Sequence, residues 1–76
     1  MKKLQNSLYI NTQGAYLHKE RETLVIDINK QKAAQLPIHG IGAIFCFGNV
    51  MVTPQVMGFC GENAVNLAFF TEYGRF

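Results

Sequence analysis

The sequence predicts a mainly β fold: a small antiparallel β-sandwich or meander of about six strands, with one short α-helix near residues 54–63. Three observations carry this. Short runs rich in Val, Ile, Leu, Tyr and Phe alternate between apolar and polar positions, the period of a half-buried strand. Turn signals separate these runs at roughly the 8–12-residue spacing of small all-β domains. Only one stretch, beginning at Thr53, changes to a helical period. Helices do not alternate with strands, so a doubly wound parallel sheet is not expected.

The elements follow in order. Ser7 to Asn11 is a strand with Leu8 and Ile10 on one face, and Asn11-Thr12-Gln13-Gly14 is a turn whose glycine tolerates positive φ. Ala15 to Lys19 is a second short strand, followed by the charged turn Lys19-Glu20-Arg21-Glu22. Thr23 to Ile28 is the clearest strand, with Leu24, Ile26 and Ile28 opposite Val25 and Asp27. Asn29-Lys30-Gln31 turns the chain into a weaker strand, Lys32 to Ile38. Pro37 has no N–H to donate, so it belongs at an edge or a strand end. After the loop His39 to Gly42, Ala43-Ile44-Phe45-Cys46-Phe47 is apolar on both faces and should be covered on both sides. Thr53 is placed as an N-cap, with Pro54 at the first helical position and Val52 and Met57 set for a hydrophobic staple. Val56, Phe59, Cys60 and Ala64 share a helical face. Gly58 and Gly61 weaken this helix by roughly 1 kcal/mol each relative to Ala, and Asn63 is expected to close it in the left-handed region. Val65 to Thr71 is the last strand, and Glu72-Tyr73-Gly74 turns again.

Seventy-six residues make one domain, 49% apolar and only 16% charged. Such a chain is far from the composition of disordered segments. It buries only about 60% of the surface its unfolded form exposes, so a thin core asks for support from a partner. The net charge of +2 permits contact with phosphate without demanding it. No apolar run has the length of a membrane helix, and the basic start, Met1-Lys2-Lys3, is not followed by the apolar stretch of a secretion signal. A cytoplasmic location without membrane contact is expected. Cys46 and Cys60 sit in apolar settings and read as small buried hydrophobes.

No catalytic constellation stands out. Glu20 and Glu22 are solvated turn charges, Asp27 belongs on an exposed sheet face, and Glu62, in the last helical turn, needs a nearby cation to offset the macrodipole. His18 is a partly exposed strand residue, and His39 belongs to a loop. A His39–Cys46 dyad would need a thiol of lowered pKa, which a buried strand does not supply. Gly40-Ile41-Gly42 lacks the residues of a phosphate loop. Tyr9, Tyr16, Lys19 and Arg21 lie in or near one predicted hairpin, which suggests an alternative: a free-standing small β-barrel stacking single-stranded nucleic acid.

Taken in order, Leu8-Tyr9-Ile10, Leu36-Pro37-Ile38-His39, Ile44-Phe45-Cys46-Phe47-Gly48, Thr53 to Cys60 and the closing Phe69-Phe70-Thr71-Glu72-Tyr73-Gly74-Arg75-Phe76 resemble one family across essentially the whole chain. The chain is similar to the N-terminal β-domain of the CRISPR adaptation integrase, CRISPR-associated protein one, and looks like subtype C of the type I systems. The resemblance implies a β-sandwich followed, in the full-length family, by a helical domain that binds Mg or Mn through Glu, His and Asp. His18 and His39 do not match the family's metal histidine, so this chain is expected to carry no metal, no other cofactor and no catalytic residue. The implied role is assembly: homodimerisation, support of CRISPR-associated protein two, and weak contact with captured double-stranded DNA. Ile44, Phe45 and Phe47 become the candidates for a dimer interface, and Lys19, Arg21 and Tyr16 for the DNA backbone. The chain departs from the family at Ala64, where many relatives have glycine, and in the unusually charged loop at residues 19–22.

Overall fold

Two tight turns fold the middle of the chain into a three-stranded meander. The strands are β2 (Ala15–Glu20), β3 (Thr23–Ile28) and β4 (Gln31–Pro37), paired antiparallel in that order. Asn29 and Lys30 form the two-residue loop between β3 and β4, with φ of 56° and 64°. Positive φ at both central positions marks the hairpin turn whose twist matches its strands. Arg21 takes φ 55° in the loop before β3. The computed structural model describes residues 6–71. The expected turn at Glu72-Tyr73-Gly74 therefore lies outside the described residues.

Among the described residues the fold is mainly β with one short helix, as the alternation requires, but with seven strands. The additional strand is β6 (Val50–Val52), too short to register as an alternating run, and it pairs parallel with β2. The four-stranded sheet runs β4-β3-β2-β6. The second sheet runs β1-β5-β7, from β1 (Asn6–Ile10), β5 (Ile41–Phe47) and β7 (Asn66–Phe70). It is parallel throughout, not antiparallel as the turn spacing suggests. Parallel neighbours require long crossovers. Here the meander and the segment containing α1 (Pro54–Glu62) supply them. Local turn signals report only the hairpins and are silent on which distant strands meet.

The two sheets face each other across one core. Ile10 of β1, Leu17 of β2, Leu24 and Ile26 of β3, and Ile44 and Cys46 of β5 meet there with Val56, Phe59 and Cys60 of α1. Leu17, Leu24, Ile44 and Val56 are fully buried. The Thr53 side chain accepts from the Val56 amide at 3.2 Å, so the predicted N-cap is in place. Met57, the proposed staple residue, remains 48% exposed. The helix end departs from expectation. Asn63 has φ −108°, and Ala64 takes the left-handed conformation at φ 57°. Asn63 is held by its own side chain, whose amide donates to the Phe59 carbonyl at 2.9 Å. The conformational cost therefore falls on an Ala Cβ. Ala64→Gly should raise stability by about 0.5–1 kcal/mol, read as a rise of a few degrees in Tm; an unchanged or lowered Tm would show that Ala64 is unstrained.

One side chain ties the loops at the carboxyl ends of the parallel strands. Gln13 Nε2 donates to the carbonyls of Asn11 (3.1 Å) and Phe47 (3.0 Å), while its Oε1 accepts from the Asn49 amide at 2.7 Å. Gly48, at φ 81°, lies directly against this amide. The Gly48 N–H donates to the Phe70 carbonyl at 2.8 Å, which fastens the same turn to β7.

Candidate functional site

The sandwich has two outward faces, and only one of them carries charged side chains among the described residues. On the three-stranded sheet, β1 sends Leu8 and Ile10 inward and Tyr9 outward. Register carries that alternation across β5, where Tyr9 pairs with Phe45, and on to β7, where Phe47 pairs with Phe70. Four rings therefore form a connected outer surface. Tyr9 stacks on Phe45 at 5.2 Å between centroids and lies 6.4 Å from Phe47. Phe70 stacks on Phe47 at 5.0 Å and tilts against Phe45 at 6.0 Å. Tyr9 is 64% exposed. The other outward positions in these registers are Ser7, Ala43, Asn66 and Ala68, so this face carries no charged side chain among the described residues.

The predicted interface residues separate accordingly. Phe45 and Phe47 belong to the aromatic face. Ile44 is 0% exposed and points into the core beside Cys46 and Leu67. A strand apolar on both sides reveals that both faces are covered or sticky, but not which face is which.

The outer face of the four-stranded sheet is polar. His18 Nε2 and the Asp27 Oδ2 atom lie 2.9 Å apart, each side chain about a quarter exposed. Lys32 Nζ donates to Gln35 Oε1 at 3.0 Å and lies 3.8 Å from a Glu20 oxygen. Gln35 in turn donates to the Thr23 hydroxyl at 2.9 Å. Asp27 is thus a half-buried, partnered residue and not simply an exposed strand charge. Tyr16 sits beside His18 on this face, with ring centroids 5.6 Å apart.

Lys19, Arg21 and Tyr16 do not converge on a common surface. Tyr16 points outward, while Lys19, three residues on, lies on the opposite side of β2 with its Nζ 4.8 Å from the centre of the Phe59 ring. Arg21 occupies the β2–β3 turn. Nor do Tyr9 and Tyr16 share a hairpin, because β1 and β2 enter different sheets. The two tyrosines therefore lie on opposite outer faces. Lys19 and Glu62 line a common cleft with Gln55 and Phe59, yet Glu62 makes no ion pair among the described residues. The expected compensating cation is directed at a ring instead.

His39 lies in a short 3-10 turn, Ile38–Gly40, and is exposed. Cys46 is completely buried. Burial, with the nearby Cys60 adding to it, pushes the Cys46 thiol up to about 11, and burial raises Cys60 as well. A nucleophilic dyad needs the opposite shift, so exposed His39 and buried Cys46 do not form one. Both cysteines should resist a thiol reagent at pH 8 in the folded chain and react fully in denaturant; rapid labelling of the native chain would contradict the core placement. The sign of the linkage follows from the raised thiol. Its contribution to stability is complete below the ordinary value of 9.0 and is lost as pH rises through about 11.

Among the described residues, no three His, Cys, Asp or Glu side chains converge into a set that could hold a metal ion. No helix among the described residues is long and apolar enough to cross a membrane.

Comparison with known proteins places this arrangement. The family model described as "CRISPR associated protein Cas1" matches residues 8–76. A CRISPR-associated endonuclease Cas1 of Chlorobaculum tepidum is 42% identical over all 76 residues, and one from Rhodospirillum rubrum is 34% identical over the same span. The chain spans 22% of the length of each of these relatives. Among solved structures, a Cas1 protein from Thermotoga maritima superposes with a TM-score of 0.79 at 18% identity, covering 96% of this chain and 22% of that one. A partial Cas6-RT-Cas1–Cas2 complex superposes with a TM-score of 0.89 at 11% identity, over 96% of this chain and 22% of its own. These structural likenesses speak for the fold, and the sequence matches carry the kinship. The chain belongs to the Cas1 family.

Proposed function

We propose that this chain is the non-catalytic assembly domain of a CRISPR spacer integrase. It pairs with a second copy through the aromatic face of the β1-β5-β7 sheet and gives weak support to captured duplex DNA. The observation that carries this is the connected surface of Tyr9, Phe45, Phe47 and Phe70, which carries no charged side chain among the described residues. Contiguous apolar surface of this kind marks an interaction site. A symmetric pair is the commonest way to cover it.

The rival reading, a single-strand stacking platform at Tyr9, lacks support on this face. Such platforms join aromatic rings to a basic groove, and no cation stands beside these rings among the described residues. DNA contact is assigned to the dispersed cations Arg21 and Lys30 at opposite ends of β3, consistent with weak, salt-sensitive binding. Structures of similar fold support the partners in general terms: one is a Cas1–DNA complex, and another includes Cas2. Cutting and joining of DNA, with the Mg or Mn they require, are assigned to the remaining part of the full-length protein.

Light scattering across a concentration series tests the assembly. The chain should run as a dimer, and Phe47→Glu should yield a folded monomer. A monomeric parent at high concentration would defeat the proposal. So would metal-dependent DNA cleavage by the pure chain.

A further inference from the structure

The polar face holds a concave pocket of about 410 Å³, lined by Gly14, Tyr16, Asp27, Asn29 and Lys30. Three features give it a definite chemistry. Tyr16 is 41% exposed and offers a ring as the pocket's apolar surface. Asp27 sits directly opposite Tyr16 in the β2–β3 register. Among the described residues only its Oδ2 atom is engaged, by His18 at 2.9 Å, so Oδ1 is open to accept. The register between β3 and β4 shifts between Ile26 and Asp27. Such bulges re-aim a side chain at the point where they occur. Lys30 completes the rim from the hairpin loop, where it is exposed at φ 64°.

An aromatic floor, a fixed carboxylate and a cation at the rim suit an unpaired nucleobase attached to a phosphate. Unstacked bases are recognised by stacking on rings and by hydrogen bonds along their Watson–Crick edges. The base edge must present donors, because a carboxylate only accepts. Guanine presents two adjacent donors, N1–H and N2–H. Thymine presents one donor flanked by two acceptors, which would face the carboxylate unfavourably. His18 is Asp27's side-chain partner here: it holds Oδ2 at 2.9 Å.

We infer that the Tyr16–Asp27–Lys30 pocket binds one unpaired guanine base of a nucleic-acid strand, stacked on Tyr16, with its N–H edge on Asp27 and a flanking phosphate on Lys30. The choice of a strand over a free nucleotide rests on the assembly reading above. The pocket itself lies on the opposite outer face from the proposed dimer surface.

Fluorescence anisotropy with labelled trinucleotides, TGT against TTT, tests the inference, with guanosine monophosphate as competitor. TGT should bind at least fivefold more tightly than TTT. Tyr16→Ala should weaken TGT by about tenfold, within the range of loss for one stacked base. Asp27→Asn should remove the preference for TGT over TTT. Lys30→Gly suits the turn and so retains the fold; it should weaken both trinucleotides and flatten their salt dependence. Equal affinity for TGT and TTT would overturn the inference, as would a preference that survives Asp27→Asn. Guanosine monophosphate binding as tightly as TGT would overturn the choice of a strand. If no trinucleotide binds while the chain remains a dimer, the pocket inference fails and the assembly proposal stands.

Discussion

Ile44→Ala is expected to lower the stability of the folded chain by about 3–4 kcal/mol, within the usual range for emptying a fully buried aliphatic site. Ile44 is 0% exposed, at the centre of the middle strand of the parallel sheet, with Leu8 and Leu67 as its register partners. Neither neighbouring strand can move inward to fill the space without giving up its pairing with β5. A domain of this length has roughly 4–11 kcal/mol in total, so the variant should be close to unfolding at room temperature. Urea titration followed by far-ultraviolet circular dichroism measures the loss. The contrast with Phe47→Glu is diagnostic. The core substitution should cost stability whatever the state of association, whereas the outer one should dissociate the proposed dimer. A loss below about 1 kcal/mol for Ile44→Ala, accompanied by dissociation, would place Ile44 on the outside.

Gly48→Ala is the second substitution with a large expected effect, and it acts through the backbone. The residue has φ 81°, a region that costs an L-residue roughly 1–2 kcal/mol. A Cβ there would also stand 2.6 Å from Gln13 Nε2 and 2.8 Å from Gln13 Cδ. The side chain could withdraw only by surrendering its bonds to Asn11, Phe47 and Asn49. Together these should destabilise the chain by about 2.5–3.5 kcal/mol, taking each of the three exposed hydrogen bonds at the low end, about 0.5 kcal/mol. Thermal unfolding should fall by more than 10 °C for a domain of this size. Gln13→Ala in the same background separates the causes. It should leave the φ penalty and remove the clash, so the double variant should lose less than the two single losses combined; simple additivity would show that the clash is absent.

How much of this was legible beforehand depends on the range of the interaction. The hairpin strands, the Thr53 cap and the buried helical face of Val56, Phe59 and Cys60 are local patterns, and they lie where period and capping chemistry put them. The parallel β1-β5-β7 sheet is a long-range choice, so alternation could identify its strands but not their partners or direction. The same limit governed the surfaces. Phe45 and Phe47 were recognisable as aromatic positions on an unusually apolar strand, but Ile44 alternates with them and could be assigned to a face only once Tyr9 and Phe70 were seen alongside. Lys19 and Tyr16 were read as neighbours from their closeness in sequence, although a strand sends residues three apart to opposite sides. The His18–Asp27 pair was missed because its members are nine residues apart. A cross-strand alignment of β2 and β3 through their short loop would have brought them within reach of each other.

The order in which the strands are synthesised has a consequence for how the domain is made. The β2-β3-β4 meander contains only neighbouring segments and can close early, since local contacts form fastest. The first strand, by contrast, pairs with β5, some thirty-five positions later in the chain, by its Asn6–Ile41 register, and β5 gains its other neighbour only when β7 has left the ribosome. Until then the β7-facing edge of β5 is unpaired, a state prone to intermolecular pairing. Nascent chains interrupted before residue 66 should therefore recruit chaperones and aggregate even though their antiparallel half is already formed.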